Sequence, residues 1–347
     1  ADLKAVDKEA KPFGALISFK GYLPSLKAAT RYYVRPYAIV DAQTYYGGAL
    51  PISTEARLSN ATITPKAEFP EYVQSRPISF GLNGKFYVNA QRRTSNGTSP
   101  DLFYEYNPVT NAWTQKGDVT ITSNSFKGGS QGLSFVANGK GYFGLSTSFT
   151  AKQELWEYDP TTDKWTRVAS GLANPLINPF FIIQSTIQMG NKVYVIGTES
   201  AGTTLPVRLY EFDITTRTFV AKAAPPGTNS SFNDLVALNN TLYYYSTLDR
   251  RLAEYNAGSN TWTAKKNIPK FFINGGITTM ASLNGKLYAF GHDIMEYNPA
   301  DDSWKLLLKV STPDIVAGPC VFTLPDRLLI GYQGSGPKGA KWTEFKP

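Results

Sequence analysis

The sequence predicts an all-β chain whose larger part is one four-stranded unit repeated six times around a closed ring. Three observations carry this. A phrase centred on Glu-Tyr or Glu-Phe recurs as LFYEYNPVTNAWT (102–114), ELWEYDPTTDKWT (154–166), RLYEFDITTRTFV (208–220), RLAEYNAGSNTWT (251–263) and DIMEYNPADDSWK (293–305). A second phrase precedes each copy: LNGKFYV (82–88), ANGKGYF (137–143), MGNKVYV (189–195), LNNTLYY (238–244) and LNGKLYA (283–289). The two ends of the ring-forming region share the parts of one further copy.

Each element of the unit has a local physical cause. An apolar stretch ahead of the Asn-Gly-Lys phrase is the first strand. Asn-Gly supplies the positive-φ residues of a tight hairpin turn, and the Tyr-, Val- and Phe-rich run after it is the second strand. The Glu-Tyr run is the third. Asn/Asp-Pro-x-Thr then reverses the chain, with Pro presetting φ and Asn/Asp bonding nearby backbone. Trp113, Trp165, Phe219, Trp262 and Trp304 open the fourth strand. The shared Glu105, Glu157, Glu211, Glu254 and Glu296 lie 52, 54, 43 and 42 residues apart, a spacing that fits the blades of a β-propeller.

The last blade is split. LPDRLLIGYQ (324–333) and AKWTEFKP (340–347) match a second and a third strand, with Glu344 in the repeated position. TITPKAEFP (62–70) aligns with TWTAKKNIP (261–269), with Ile63 replacing the aromatic. Residues 62–67 are therefore expected to supply the missing fourth strand and close the ring. Closure leaves no sheet edge exposed to pairing with other chains.

These residues resemble kelch repeats. EFPEYVQSRPISFGLNGKFYVNAQ followed by YEYNPVTNAWT follows the kelch pattern, with Arg76, the Asn-Gly-Lys turn, Tyr106 and Trp113 in place. The double glycine that ends the second kelch strand is missing or reduced to one, as at Asn89-Ala90 and Gly197-Thr198. The resemblance covers residues 62–347 and implies a six-bladed kelch-like β-propeller.

Residues 1–56 do not fit the repeat, and 57–61 read as a linker. Leu26, Thr30-Arg31-Tyr32, Arg35-Pro36-Tyr37-Ala38 and Tyr46-Gly47 resemble the last strands of a fibronectin type III domain, in the form found on surface proteins of Bacteroidota. A whole domain of that kind takes about 100 residues, so this segment is expected to be an incomplete β-sandwich. The resemblance implies a secreted or cell-surface protein, tethered through an upstream lipid anchor or part of a cell-envelope assembly. The first ten residues, ADLKAVDKEA, have no signal-peptide character.

Composition excludes several function classes. The chain has one His and one Cys, so a Cys/His-rich zinc site and an internal disulfide are both impossible. Copper oxidases on kelch propellers, which need two His and a Cys–Tyr link, are excluded on the same count. Net charge is +8, but basic residues occur in runs no longer than pairs such as Arg92-Arg93. That is a solvated surface rather than the clustered stripe of a nucleic-acid binder. No apolar run reaches the ~20 residues of a membrane span.

Residues repeated in every blade are expected to be architectural, so function is expected in what differs between blades, chiefly loops on a rigid scaffold. By resemblance to kelch propellers, the loops entering first strands and those joining second to third strands open on one face. The first kind carries Tyr72, Phe126, Phe180, Phe181, Phe232, Phe271 and Phe272, with Arg76, Asn124, Lys127, Asp234 and Asn274 close by; the second kind carries Arg92 and Arg93. An aromatic rim with amides and charges suits a sugar ring or a protein hot spot. The expectation is a non-catalytic binding or scaffold module for a protein partner or surface glycan, without cofactor, metal or assigned catalytic residue. The enzyme alternative, by resemblance, is a sialic-acid mutarotase. It would draw its carboxylate-binding Arg from Arg76, Arg92 or Arg93 and its acid–base group from Asp234 or Glu71. Cys320, in an apolar first-strand stretch, is expected to be a buried, inert thiol.

Overall fold

The structure is a computed structural model and describes residues 27, 29–53, 59–71, 79–91, 101–117, 132–145, 153–176, 181–199, 206–226, 233–246, 250–269, 279–291, 293–309, 320–331 and 341–347. Every regular element among them is a strand. The chain divides into two compact units, Ala1–Asn60 and Ala61–Pro347.

In the first unit, β1 (Arg31–Val34) pairs with β4 (Leu50–Ser53), and β2 (Tyr37–Val40) with β3 (Gln43–Tyr46). The two pairs form one long hairpin interrupted at Arg35-Pro36. Pro36 has no N–H to give to the ladder, but its carbonyl accepts from the Gly47 amide at 2.8 Å. Asp41 and Ala42, at φ 49° and 62°, make the tight turn. Tyr33, Ile39, Tyr45, Tyr46 and Leu50 are exposed.

The second unit is a six-bladed β-propeller. A single strand, β5 (Thr62–Pro65), precedes five complete blades. Blade 1 is β6 (Ser79–Leu82), β7 (Lys85–Gln91), β8 (Asp101–Asn107) and β9 (Ala112–Gln115). Blade 2 is β10 (Leu133–Ala137), β11 (Lys140–Gly144), β12 (Leu155–Asp159) and β13 (Lys164–Ala169). Blade 3 is β14 (Phe181–Met189), β15 (Lys192–Glu199), β16 (Val207–Asp213) and β17 (Thr218–Lys222). Blade 4 is β18 (Asn233–Leu238), β19 (Thr241–Ser246), β20 (Arg251–Asn256) and β21 (Thr261–Lys265). Blade 5 is β22 (Thr279–Leu283), β23 (Lys286–Phe290), β24 (Asp293–Asn298) and β25 (Ser303–Lys309). Blade 6 is β26 (Val321–Leu324), β27 (Arg327–Gly331), β28 (Trp342–Lys346) and then β5. The register Phe345↔Ile63 and Glu344↔Thr64 puts Ile63 where four other blades carry Trp and blade 3 carries Phe219.

First strands touch one another in cyclic order and β26 returns to β6, so they form the inner ring. Hydrogen bonds stitch neighbours on this ring. Ser134 Oγ donates to the Ser79 carbonyl at 3.0 Å. The Gln188 amide group imitates a strand, accepting from Val136 N–H and donating to Val136 C=O, both at 2.8 Å. At the 6–1 seam the Phe322 ring lies over Gly81, and at the 1–2 seam the Phe80 ring lies over Gly141; a Cβ on either glycine would collide with the ring.

The repeated polar residues are consumed in this architecture. Each repeated glutamate meets a cation or tyrosine of its own blade: Glu105 binds Lys85 (2.7 Å) and Tyr87 (2.7 Å), and Glu157 binds Lys140 (2.6 Å) and Tyr142 (2.6 Å). Glu211 sits between Lys192 and Lys222. Glu344 ties the closing segment down through Lys66 at 2.8 Å. A second device joins blades. The Asn or Asp before the fourth strand takes φ near +50°, and its Oδ1 accepts from a Tyr hydroxyl of its own blade and a backbone N–H beyond the fourth strand of the preceding blade. Asn111 does this to Tyr106 (2.8 Å) and Ala67 (2.9 Å), and Asn260 to Tyr255 (2.7 Å) and Ala223 (2.9 Å). Asp302 does the same to Tyr297 (2.6 Å) and Lys266 (2.8 Å). Trp113, Trp262 and Trp304 donate Nε1–H to the carbonyl of the same gripped residue. Blade 3 departs, with Arg217 and Phe219 at these positions.

Candidate functional site

Antiparallel pairing fixes which ends of the strands can build a site. Asn233 at the start of β18 pairs with Ser246 at the end of β19, so the chain enters the first strand where it leaves the second. The tight Asn-Gly turns lie at the opposite end of these strands, at Asn83-Gly84, Asn138-Gly139 and Asn284-Gly285, each with positive φ. Variable loops therefore gather at one end of the inner ring and short turns at the other.

Asp234 and Phe181, of the binding residues selected from the sequence, lie within the described part, as does Glu71 of the enzyme alternative. Tyr72, Arg76, Arg92, Arg93, Asn124, Phe126, Lys127, Phe180, Phe232, Phe271, Phe272 and Asn274 lie outside it, as does His292. Phe181 was expected among the rim aromatics, but it is buried at 5% exposure. Its ring covers Gly197 and meets Tyr210 edge-on at 5.9 Å, and the side chain belongs to the core packed between blades 2 and 3. Gly197 has no Cβ and leaves the space that the ring takes.

Asp234 stands in a built polar environment. Its Oδ2 accepts from the Tyr245 hydroxyl at 2.8 Å, and its Oδ1 from the Leu235 amide at 2.7 Å. The Tyr245 hydroxyl in turn accepts from the Met280 amide of blade 5 at 2.8 Å. The Leu235 amide also points at Ser185 Oγ of blade 3, at 3.4 Å. Burial, then the Asp234 charge, raises the Tyr245 hydroxyl well above the ordinary tyrosine range, so it stays a proton donor. Beside this lies a β-bulge between Ile183 and Ser185. The bulged Gln184 is buried and donates to Thr198 Oγ1 at 3.3 Å. Bulges recur where a side chain must be re-aimed.

Tyr245, Ser185 and Gln184 were not singled out from sequence, although one signal was present. Aligned on the turn before the second strand, Tyr245 stands where other blades have Asn89, Gly144, Ile196, Phe290 and Gly331.

Glu71, the other sequence-selected carboxylate, accepts from Tyr104 at 3.3 Å in blade 1. Cys320 is buried and free, and burial pushes its thiol up to about 12. Among the described residues, no group of three or more His, Cys, Asp or Glu is placed to hold a metal ion. No described helix is long and apolar enough to cross a membrane.

No protein-family profile matches the chain. No curated protein matches it. Among solved structures it is similar to one described as "Structure of YjhT", at 15% identity and a TM-score of 0.48, over 80% of this chain and 98% of that one. This likeness carries no argument about activity.

Proposed function

We propose that this protein is a non-catalytic binding and scaffold module, a kelch-like propeller behind fibronectin-like strands, that engages a protein partner or glycan outside the cell through the loops of one propeller face. One observation carries the reading. The repeated glutamates, and in three of the blades the repeated Tyr, Asn or Asp and Trp, are engaged inside blades or between them, leaving the non-repeated loop ends as the surface that can vary with a ligand. The exposed aromatic and aliphatic side chains of the first unit, such as Tyr33, Ile39 and Leu50, support reading its described strands as one sheet of a fibronectin-like sandwich. A secreted or surface-held location, with a lipid-anchored upstream segment, follows from that resemblance.

The test is a glycan-array and pull-down screen with wild type and the Phe126→Ala/Phe272→Ala double variant. Binding that falls at least about tenfold in the variant supports the reading. Unchanged binding to an identified partner removes the aromatic rim. Interconversion of sialic-acid anomers faster than buffer, read by NMR, overturns the non-catalytic assignment.

A further inference from the structure

The inner ring is not uniform at the end where the loops gather. The first-strand residues facing the fifth position of the second strand are Leu133 in blade 2, Ser185 in blade 3, Asp234 in blade 4, Thr279 in blade 5 and Cys320 in blade 6. Three consecutive blades thus place hydroxyl, carboxylate and hydroxyl at one level, flanked by an apolar side chain and a thiol. Repetition cannot produce this arc, because a residue kept for architecture recurs in every blade.

Packing holds the arc in place. Ser185 and Asp234 are joined through the Leu235 amide, which lies 2.7 Å from Asp234 Oδ1 and 3.4 Å from Ser185 Oγ. Asp234 and blade 5 are joined through the Tyr245 hydroxyl and the Met280 amide. Tyr245 is 1% exposed, and it spends a buried hydroxyl on one carboxylate that no other blade has. A buried hydroxyl costs free energy unless it is bonded, so Tyr245 and Asp234 stand or fall together. Asp234 and Ser185 themselves are only half-buried, whereas Thr279 is buried at 6% and its hydroxyl bonds to Tyr245, so it supports the carboxylate from behind. Two fixed donors therefore aim a partly accessible carboxylate at the loop end of the inner ring, beside a hydroxyl re-aimed by the Gln184 bulge. A preorganised strong acceptor beside a half-buried hydroxyl, in a stretch that also holds the polar Gln184, Thr198 and Ser246, suits a ligand rich in hydroxyl donors.

We propose that the Ser185–Asp234 pair, backed by the buried Thr279, is the anchoring site for a neutral sugar, with Asp234 accepting hydrogen bonds from its hydroxyl groups. This rests on the binding-module reading and names the residue at its centre. Tyr245 is a positioning residue that acts through Asp234.

The experiment titrates isotope-labelled protein with glucose, galactose, mannose and N-acetylglucosamine in turn and follows the Leu235 and Met280 amide resonances. These amides bond to Asp234 and Tyr245, so they report the arc directly. Saturable shifts at both are expected with at least one sugar. Asp234→Asn is expected to weaken that affinity at least about tenfold, and Tyr245→Phe less. The Asp326→Asn control, at the opposite tight turn, is expected to leave it unchanged. Folding of each variant is checked by an otherwise superposable amide spectrum; if Asp234→Asn fails this check, Ser185→Ala takes its place with a smaller expected loss. The proposal is overturned if no sugar moves the two amides saturably, or if the folded variant keeps wild-type affinity. Failure here together with a partner or glycan captured in the screen removes the arc and leaves the binding module standing. Failure in both removes the binding module as well.

Discussion

Asn111 Oδ1 lies 2.9 Å from the amide nitrogen of Ala67, forty-four residues earlier and in the preceding blade, while Trp113 takes the Ala67 carbonyl at 3.1 Å. One peptide residue is thus held at both its polar groups by the next blade. Asn111→Ala removes two acceptor contacts and leaves a Cβ-bearing residue at φ 53° without the side-chain bonds that Asn makes there. A loss of about 2–3 kcal/mol is expected from denaturant unfolding. Asn111→Asp should cost far less, since Asp163 and Asp302 do the same work in blades 2 and 5.

The Phe80 ring occupies the place where a side chain on Gly141 would begin. Gly141→Ala is expected to destabilise by about 1–3 kcal/mol through overpacking at the 1–2 seam. Phe80→Leu in the same chain should recover part of that loss. A double-mutant cycle with no coupling between the two positions would show that the seam relaxes elsewhere.

Acid should loosen the blades in a defined window. Burial raises the Glu211 carboxyl, but hydrogen bonds from Lys192 and Tyr194 and the charges of Lys222 and Lys192 outweigh it and hold the group below its ordinary 4.5. Glu105, Glu157 and Glu344 are lowered with the same balance of causes. A carboxyl lowered by folding contributes stability that is complete above the ordinary value and lost as pH falls through the folded one. Melting temperature should therefore hold level down to about pH 5 and then fall steeply. Glu211→Gln should lower stability at neutral pH by about 1 kcal/mol and make the acid slope shallower, as read by calorimetry across pH.

Cys320 reports whether the 6–1 seam opens. Burial raises its thiol to about 12, and the group packs with Phe69, Phe86 and Phe322. An aromatic disulfide reagent at pH 8 is expected to react at least about a hundredfold slower with native protein than in denaturant. Ile63→Asp, which places charge in the closing strand, should restore much of the reactivity. Fast labelling of the native wild type would contradict the burial.

Much of the fold was legible because blades are local. Tight turns at Asn83-Gly84 or Asn284-Gly285 announce themselves in two residues, and the aromatic opening the fourth strand sits at a fixed offset from the glutamate. Even the split blade was readable, because Ile63 occupies the position of Trp262. Relationships between blades were not. That Asn111 serves Ala67, or that Tyr245 serves Met280, depends on how two sheets face each other across more than thirty residues. Phe181 shows the same limit from the other side. Its neighbours in sequence suggest a rim, while the glycine at 197 decides that the ring turns inward. Of the site, Asp234 was legible as a carboxylate beside a variable loop, but its setting was not, since a bulge at Gln184 leaves no periodic trace.

The pairing of β5 with β28 sets a timetable for biosynthesis. Blades 1 to 5 are made of strands adjacent in sequence, and each can pair as it leaves the ribosome. Thr62–Pro65 cannot: its partner is translated roughly 280 residues later, an interval of about 15–55 s at 5–20 residues per second. For that time Ile63 and its free backbone groups have no native strand to bind. A holding chaperone, or slow release from the translating ribosome, has its natural target in this one short strand.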